Sequence, residues 1–187
     1  QFLSNHCAEH GIEHEIIDTQ IFELAGEKIR KNSSFCSFFS RMRRGYLYST
    51  AQEQGYNKVA LGHHLDDAME SFFMNFFYNG TMRSMPPIYK AENGLEVIRP
   101  LIFCRERQLR AFATTNEINV IGDEACPGLR FDVKMPHARQ STKELLAKLE
   151  EENPKIFVSM KAAFSNIQLS TFFNKNDLNT VESSLED

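Results

Sequence analysis

The chain has 187 residues, 42% of them hydrophobic and 25% charged, and a formal net charge of −4. That length fits one domain with a sizeable core, and no apolar run is long enough to span a membrane. The acids Asp177, Glu182, Glu186 and Asp187 account for the whole net charge, so the rest of the chain is neutral and can still carry a local basic cluster for RNA.

No signal peptide opens the chain, and Cys7, Cys36, Cys104 and Cys126 are widely spaced. The expectation is four reduced thiols in the cytosol. Residue 1 is Gln, so a fragment or a processed chain is expected.

In chain order, residues 1–11 read as the end of a helix stopped at Gly11, and Glu13 to Ile17 as a strand. Ile21, Leu24, Ala25 and Ile29 suggest a short helix weakened by Gly26. Cys36 to Gln54 reads as a helix with Gly55 near its end. Strand 58–61 runs into helix 64–78, which Asn79-Gly80 stops. Met69, Phe72, Phe73, Phe76 and Phe77 recur at helical spacing and should anchor that helix in a core.

Ile88 to Lys90 and Leu95 to Ile98 read as a β-hairpin around Asn93-Gly94, ended by Arg99-Pro100. Arg105 to Asn116 reads as a helix with Leu109, Phe112 and Ala113 inward, and Asn119 to Ile121 as a strand. Gly122 to Arg130 is a loop, and 138–151 and 154–168 are two helices joined near Asn153-Pro154. The alternation predicts an α/β fold, a parallel sheet flanked by helices. Residues 1–173 are expected to form one α/β domain including the C-terminal helices, and 174–187 an acidic, disordered tail.

The chemistry gathers in Val59-Ala60-Leu61-Gly62-His63-His64-Leu65-Asp66-Asp67. Gly62 suits a tight exit from the strand where side chains would crowd. His63, His64, Asp66 and Asp67 fall at the strand's carboxyl end, where open α/β sheets bind ligands. Two acids there can hold Mg²⁺, and Asp66 and Glu70, four residues apart, can face one cleft. The plainer reading is that the acids favour the helix start, which accounts poorly for two histidines. Arg99 offers a fork of donors to phosphate or carboxylate, or else forms a structural salt bridge. Arg41, Arg43 and Arg44 are either a solvated face or a phosphate-contacting cluster, with Arg43 pointing away from the other two. Cys104 and Cys7 read as inert thiols.

Gly62-His63-His64-Leu65-Asp66-Asp67, Met74-Asn75-Phe76-Phe77-Tyr78-Asn79-Gly80 and Met85-Pro86-Pro87 together resemble the tRNA 2-thiocytidine synthetase family. Ser40-Arg41-Met42-Arg43-Arg44-Gly45 and the run from Ile98 to Glu106 add to the resemblance, which covers most of residues 1–170. That family belongs to the N-type ATP pyrophosphatases, with the tRNA-lysidine synthetases. The resemblance implies an adenine nucleotide alpha hydrolase-like fold and ATP-dependent thiolation. ATP adenylates a cytidine in the tRNA anticodon loop, and sulfur then displaces AMP. It implies a catalytic and Mg²⁺-binding role for Asp66 and Asp67, nucleotide contact by Gly62, His63, His64 and Arg99, and RNA contact by Arg41, Arg43 and Arg44. The implied partners are tRNA, ATP and a sulfur donor protein in the cytoplasm, with no membrane; a homodimer stays open.

Two departures matter. The family's Ser-Gly-Gly-x-Asp-Ser phosphate loop has no counterpart here, so the chain is expected to lack the N-terminal segment of the fold. Thiolating relatives hold a 4Fe–4S cluster on a Cys-x-x-Cys and a later cysteine. Here Cys36 and Cys126 match, but Phe39 replaces the second ligand, which argues against a stable cluster. The rival readings are a cluster-free ATP pyrophosphatase such as a lysidine synthetase-like enzyme, and a non-catalytic RNA-binding remnant.

Overall fold

The computed structural model describes residues 2–21, 24, 35–121 and 137–172; of Phe35, Cys36 and His137 it describes the backbone only. It is α/β. Among the described residues there are six α-helices: α1 (Phe2–Glu9), α2 (Phe35–Glu53), α3 (Leu65–Asn79), α4 (Glu106–Thr115), α5 (His137–Glu152) and α6 (Ile156–Ala163). Three short strands, β1 (Lys58–Ala60), β2 (Ile88–Lys90) and β3 (Glu96–Ile98), form a sheet of order β1-β3-β2 that contains a parallel pairing. A short 3₁₀ turn follows at Leu169–Thr171. None of these helices is long and apolar enough to cross a membrane.

The chain divides into two compact units. The first takes residues 1–59, 92–95 and 121–135. Its α1 ends where Gly11 turns left-handed, and α2 ends before Gly55, with φ of 63° and 77° respectively. Glycine tolerates that conformation without a Cβ clash, so both helices stop where the glycines stand. Ile21 and Phe38 are buried. Residues 13–17, expected to be a strand, are irregular and exposed, Ile16 to 72%. A strand needs a neighbour for its N–H and C=O groups, and local alternation does not supply one. Of the expected helix after residue 19 only Ile21 and Leu24 are described, both helical. The loop at 122–130 and the tail from 174 lie outside the described residues.

The second unit takes residues 60–91, 96–120 and 136–187. Ile88 pairs with Ile98 and Lys90 with Glu96 in an antiparallel β2–β3 hairpin. Beyond the end of β1 the Leu61 N–H donates to the Ile98 carbonyl at 2.9 Å. α3 starts on His64 as N-cap and stops at Gly80, φ 59°, as its sequence requires. Its first two turns bury Leu65, Ala68 and Met69. Leu65 and Met69 share a core with Leu146 of α5 and Phe157 of α6, and Phe73, Met160 and Phe164 pack against it. Phe76 and Phe77, expected in the core, are half-exposed and stack on Phe72 and Phe73 instead. Phe112 is likewise exposed to 61% on α4, and residues 119–121 form no strand. α6 is shorter than its periodicity suggests and closes at Phe164.

Candidate functional site

The Gly62–Asp67 turn sits between β1 and α3, and its polar groups close on one another. His64 N–H donates to Asp67 Oδ2 at 3.0 Å, and Asp67 N–H donates to His64 Nδ1 at 3.4 Å. This reciprocal cap satisfies two N–H groups that a helix start leaves orphaned, and it assigns the imidazole proton to Nε2. Nε2 itself lies 3.4 Å from Asp67 Oδ2. Gly62 has an ordinary backbone, and a Cβ built there meets nothing within 4 Å. The crowding expected at Gly62 is therefore absent; the strand exit needs no glycine, and the space above it is open.

Asp66 points to α4. Its Oδ2 accepts the Glu106 N–H at 2.7 Å, capping the first turn of that helix, where a negative charge suits the dipole. Arg105 Nε and Nη2 reach the same carboxylate at 3.0 to 3.2 Å. Arg105 also forks onto Glu150 of α5 at 2.6 and 2.8 Å. Its guanidinium carbon stands 3.3 Å from the centre of the Phe157 ring, and the side chain is only 12% exposed. Hydrogen bonding to Glu150 raises the Arg105 pKa; burial opposes that rise and Asp66 adds to it. The hydrogen bond from Arg105 in turn holds Glu150 below the usual carboxylate range. Burial would raise the Glu106 carboxyl, but hydrogen bonds from Arg110 and Lys143 leave it lowered.

Asp67 points to α5. Arg139 donates from Nη2 to Asp67 Oδ1 and from Nε to Glu70 Oε2, both at 2.9 Å. The acids that share a partner are thus Asp67 and Glu70, one turn apart, whereas Asp66 belongs to Arg105. The spacing rule that paired Asp66 with Glu70 ignored the second helix, which supplies the arginine.

Arg99 is 7% exposed. Its Nε donates to His63 Nδ1 at 3.3 Å, its Nη1 to the Pro86 carbonyl at 2.6 Å, and its N–H to the Pro87 carbonyl at 2.8 Å. Among the described residues it meets no carboxylate, so no salt bridge of Arg99 is seen there; its guanidinium reaches His63 and a backbone carbonyl. It ties the Met85-Pro86-Pro87 segment to the end of β3 and orients His63. Ser84 joins the same segment to the Ala68 carbonyl of α3 at 2.7 Å. Arg41, Arg43 and Arg44 are all exposed on α2 in the first unit, and among the described residues none is ion-paired. Cys36 lies in the first turn of α2 with its side chain undescribed, Cys126 is outside the described residues, and Phe39 is half-buried. Cys104 is a half-buried free thiol whose carbonyl accepts the Leu65 N–H.

Two openings flank the turn. A cleft of about 670 Å³ is lined by Asp66, Arg105, Glu106, Arg110 and Glu150. A larger one of about 1390 Å³ runs along the apolar side of α3 to residues 160–172 and includes none of His63, His64, Asp66 or Asp67. Among the described residues no three His, Cys, Asp or Glu side chains converge for a metal. Mg²⁺ commonly keeps its waters and takes one or two carboxylates plus phosphate oxygens. Asp67, with Glu70 beside it, fits that demand. Asp66 is likewise engaged by an arginine and a backbone N–H, but its Arg105 is largely buried and also forked onto Glu150. Arg105, Arg139 and Glu150 escaped the sequence reading: each lies about 40 or more residues from its partner, and no local spacing records that.

A family model described as a PP-loop domain matches residues 1–135. The chain is 41% identical over 168 residues to a tRNA-cytidine(32) 2-sulfurtransferase of Geobacter metallireducens, covering 89% of this chain and 63% of that protein. It is 40% identical over 160 residues to one of the same name from Coxiella burnetii, covering 85% and 60%. Among solved structures it is similar to the U34-tRNA thiolase NcsA from Methanococcus maripaludis with its 4Fe–4S cluster, at a TM-score of 0.69 and 21% identity, covering 92% of this chain and 57% of that one. The chain therefore spans about six-tenths of the length of these relatives. With most of its residues matched by that one model, and with an α/β fold shared with a solved thiolase, the chain belongs to the PP-loop domain family.

Proposed function

We propose that this chain is part of an ATP-dependent tRNA-thiolating enzyme. The observation that carries the reading is the acid pair at the head of α3, beyond the end of β1, in a PP-loop chain about 40% identical to tRNA-cytidine(32) 2-sulfurtransferases. The reaction is adenylation followed by sulfur transfer. The carbonyl oxygen of a cytidine in the anticodon loop attacks the α-phosphorus of ATP, and pyrophosphate leaves. Sulfur brought by a donor protein then displaces AMP. Adenylation is needed because a carbonyl oxygen is a poor leaving group by itself. The target base must be unstacked, which suits a single-stranded loop.

Residues 1–173 act as one PP-loop domain with its C-terminal helices, in the cytoplasm, with a homodimer as the form to test first. Asp67 holds Mg²⁺ against the phosphates, which supplies charge neutralisation as pyrophosphate departs. His64 fixes Asp67 through the reciprocal cap, Asp66 fixes the helix starts, and Gly62 leaves the backbone open to the nucleotide. His63 faces the nucleotide from a ring oriented by Arg99. The exposed Arg41, Arg43 and Arg44 contact the tRNA backbone.

Pyrophosphate release by the whole protein, with tRNA and Mg–ATP, tests this reading. The expected result is release that depends on tRNA, yields 2-thiocytidine by nucleoside mass spectrometry, and is lost in Asp67→Asn. Release indifferent to tRNA would refute it.

Phe39 favours one variant of this reading, in which thiolation or a related adenylation proceeds without a cluster. Cys36 and Cys126 then act as a persulfide carrier and its resolving partner. Iron and sulfide content of the wild type set against Phe39→Cys decides the point: a cluster in the substituted chain only is the expected outcome.

A further inference from the structure

The two arginines at the turn hold their acids in different ways. Arg105 makes a double fork under an aromatic ring and is 12% exposed. Arg139 makes one contact to each of Asp67 and Glu70, and its side chain is 60% exposed. Glu70 is the reverse of its partner: its side chain is 7% exposed, and Arg139 is the cation set against it. A carboxylate so buried is costly without a neighbouring cation, so whatever removes Arg139 must bring another positive charge. Asp67 Oδ2 is held by the His64 N–H, whereas among the described residues its Oδ1 answers only to Arg139. Asp67 Oδ1 and Glu70 Oε2 both lie 2.9 Å from one guanidinium, so they address a common cation position.

We propose that Arg139 is a displaceable counter-ion. A divalent cation exchanges with it at Asp67 and Glu70, and the released guanidinium turns to a phosphate of the incoming polyphosphate. A carboxylate pair suits the hard cation, and a planar fork suits the phosphate. The exchange at the carboxylates rests on this geometry alone. The phosphate half rests on the nucleotide reading above.

The test uses Mn²⁺ alone, followed by electron paramagnetic resonance, on the wild-type chain, Arg139→Gln and Arg139→Met. The expected result is Mn²⁺ affinity about tenfold higher in both variants, the scale of one nearby unit charge in a largely aqueous setting, and loss of that gain when Asp67→Asn is added. Unchanged Mn²⁺ affinity in folded variants would overturn the proposal, as would a gain that survives Asp67→Asn. Unfolding of both variants would overturn it too, because a displaceable residue cannot be one the fold depends on. In the whole protein the same substitutions should weaken Mg–ATP binding at saturating Mg²⁺. Tighter metal with weaker nucleotide is a pairing that a purely structural arginine would not give. If the wild-type whole protein binds no Mg–ATP, the nucleotide reading fails, and the Mn²⁺ titration still decides the exchange.

Discussion

Asp66 and Asp67 are neighbours in one turn, with side chains of similar exposure, 13% and 16%. Their partners separate them. Asp66 closes a buried network of Arg105, Glu150 and the start of α4 over the Phe157 ring. Asp67 faces a half-open pair with an exposed arginine and a helix cap. A residue's exposure alone therefore says little about whether its charge is available. What matters is whether its partner can leave. Arg105 would have to abandon two carboxylates and a ring, whereas Arg139 has solvent to move into.

The largest expected effect breaks the first region. Arg105→Ala leaves Asp66 without its arginine and Glu150 with only the exposed Arg107 at 3.5 Å, and should cost about 3 kcal/mol of stability. Arg139→Ala takes one contact from each of Asp67 and the buried Glu70 and should cost less, about 1 to 2 kcal/mol. Urea unfolding of both variants checks the contrast; equal costs would erase it.

Acid sharpens the same contrast. Glu150 is lowered below its ordinary value of 4.5 by Arg105, so it binds a proton more readily in the unfolded chain. Its stabilisation is complete above that value and is lost as the pH falls through the lowered pKa of the folded state. Glu150→Gln should therefore flatten the acid limb of the stability curve. A limb identical to wild type would place the acid sensitivity elsewhere.

The smallest effect concerns α2 in the first unit. Changing Arg43 and Arg44 together to Ala should leave stability nearly unchanged, since both are exposed. It should lower the slope of log affinity for tRNA against log salt by about 1 to 2, because two fewer phosphates are neutralised. An unchanged slope would assign these arginines to the solvated surface.

Much of the fold was legible where backbone chemistry is local. Gly55 and Gly80 mark helix ends because only glycine takes a left-handed cap cheaply, and Asn93-Gly94 marks the hairpin turn, with Gly94 at φ 88°. The turn from Gly62 to Asp67 was legible for the same reason, as a strand end followed by a helix start. Two expected strands, 13–17 and 119–121, fail because a ladder partner is a property of the whole chain. Phe76, Phe77 and Phe112 keep helical spacing yet stay exposed, because spacing fixes a face and not what covers it. The division of labour between the two acids was not legible at all. It is written in Arg105, Arg139 and Glu150, which reach the turn from distant segments.

The most direct measurement of that division is the unfolding free energy of Asp66→Asn set beside that of Asp67→Asn in the same chain. Asp66→Asn should cost about 1 to 2 kcal/mol more, because it takes the charge from a buried pair with Arg105 and from the carboxylate at the start of a second helix together. Equal losses, or a greater loss from Asp67→Asn, would contradict the account.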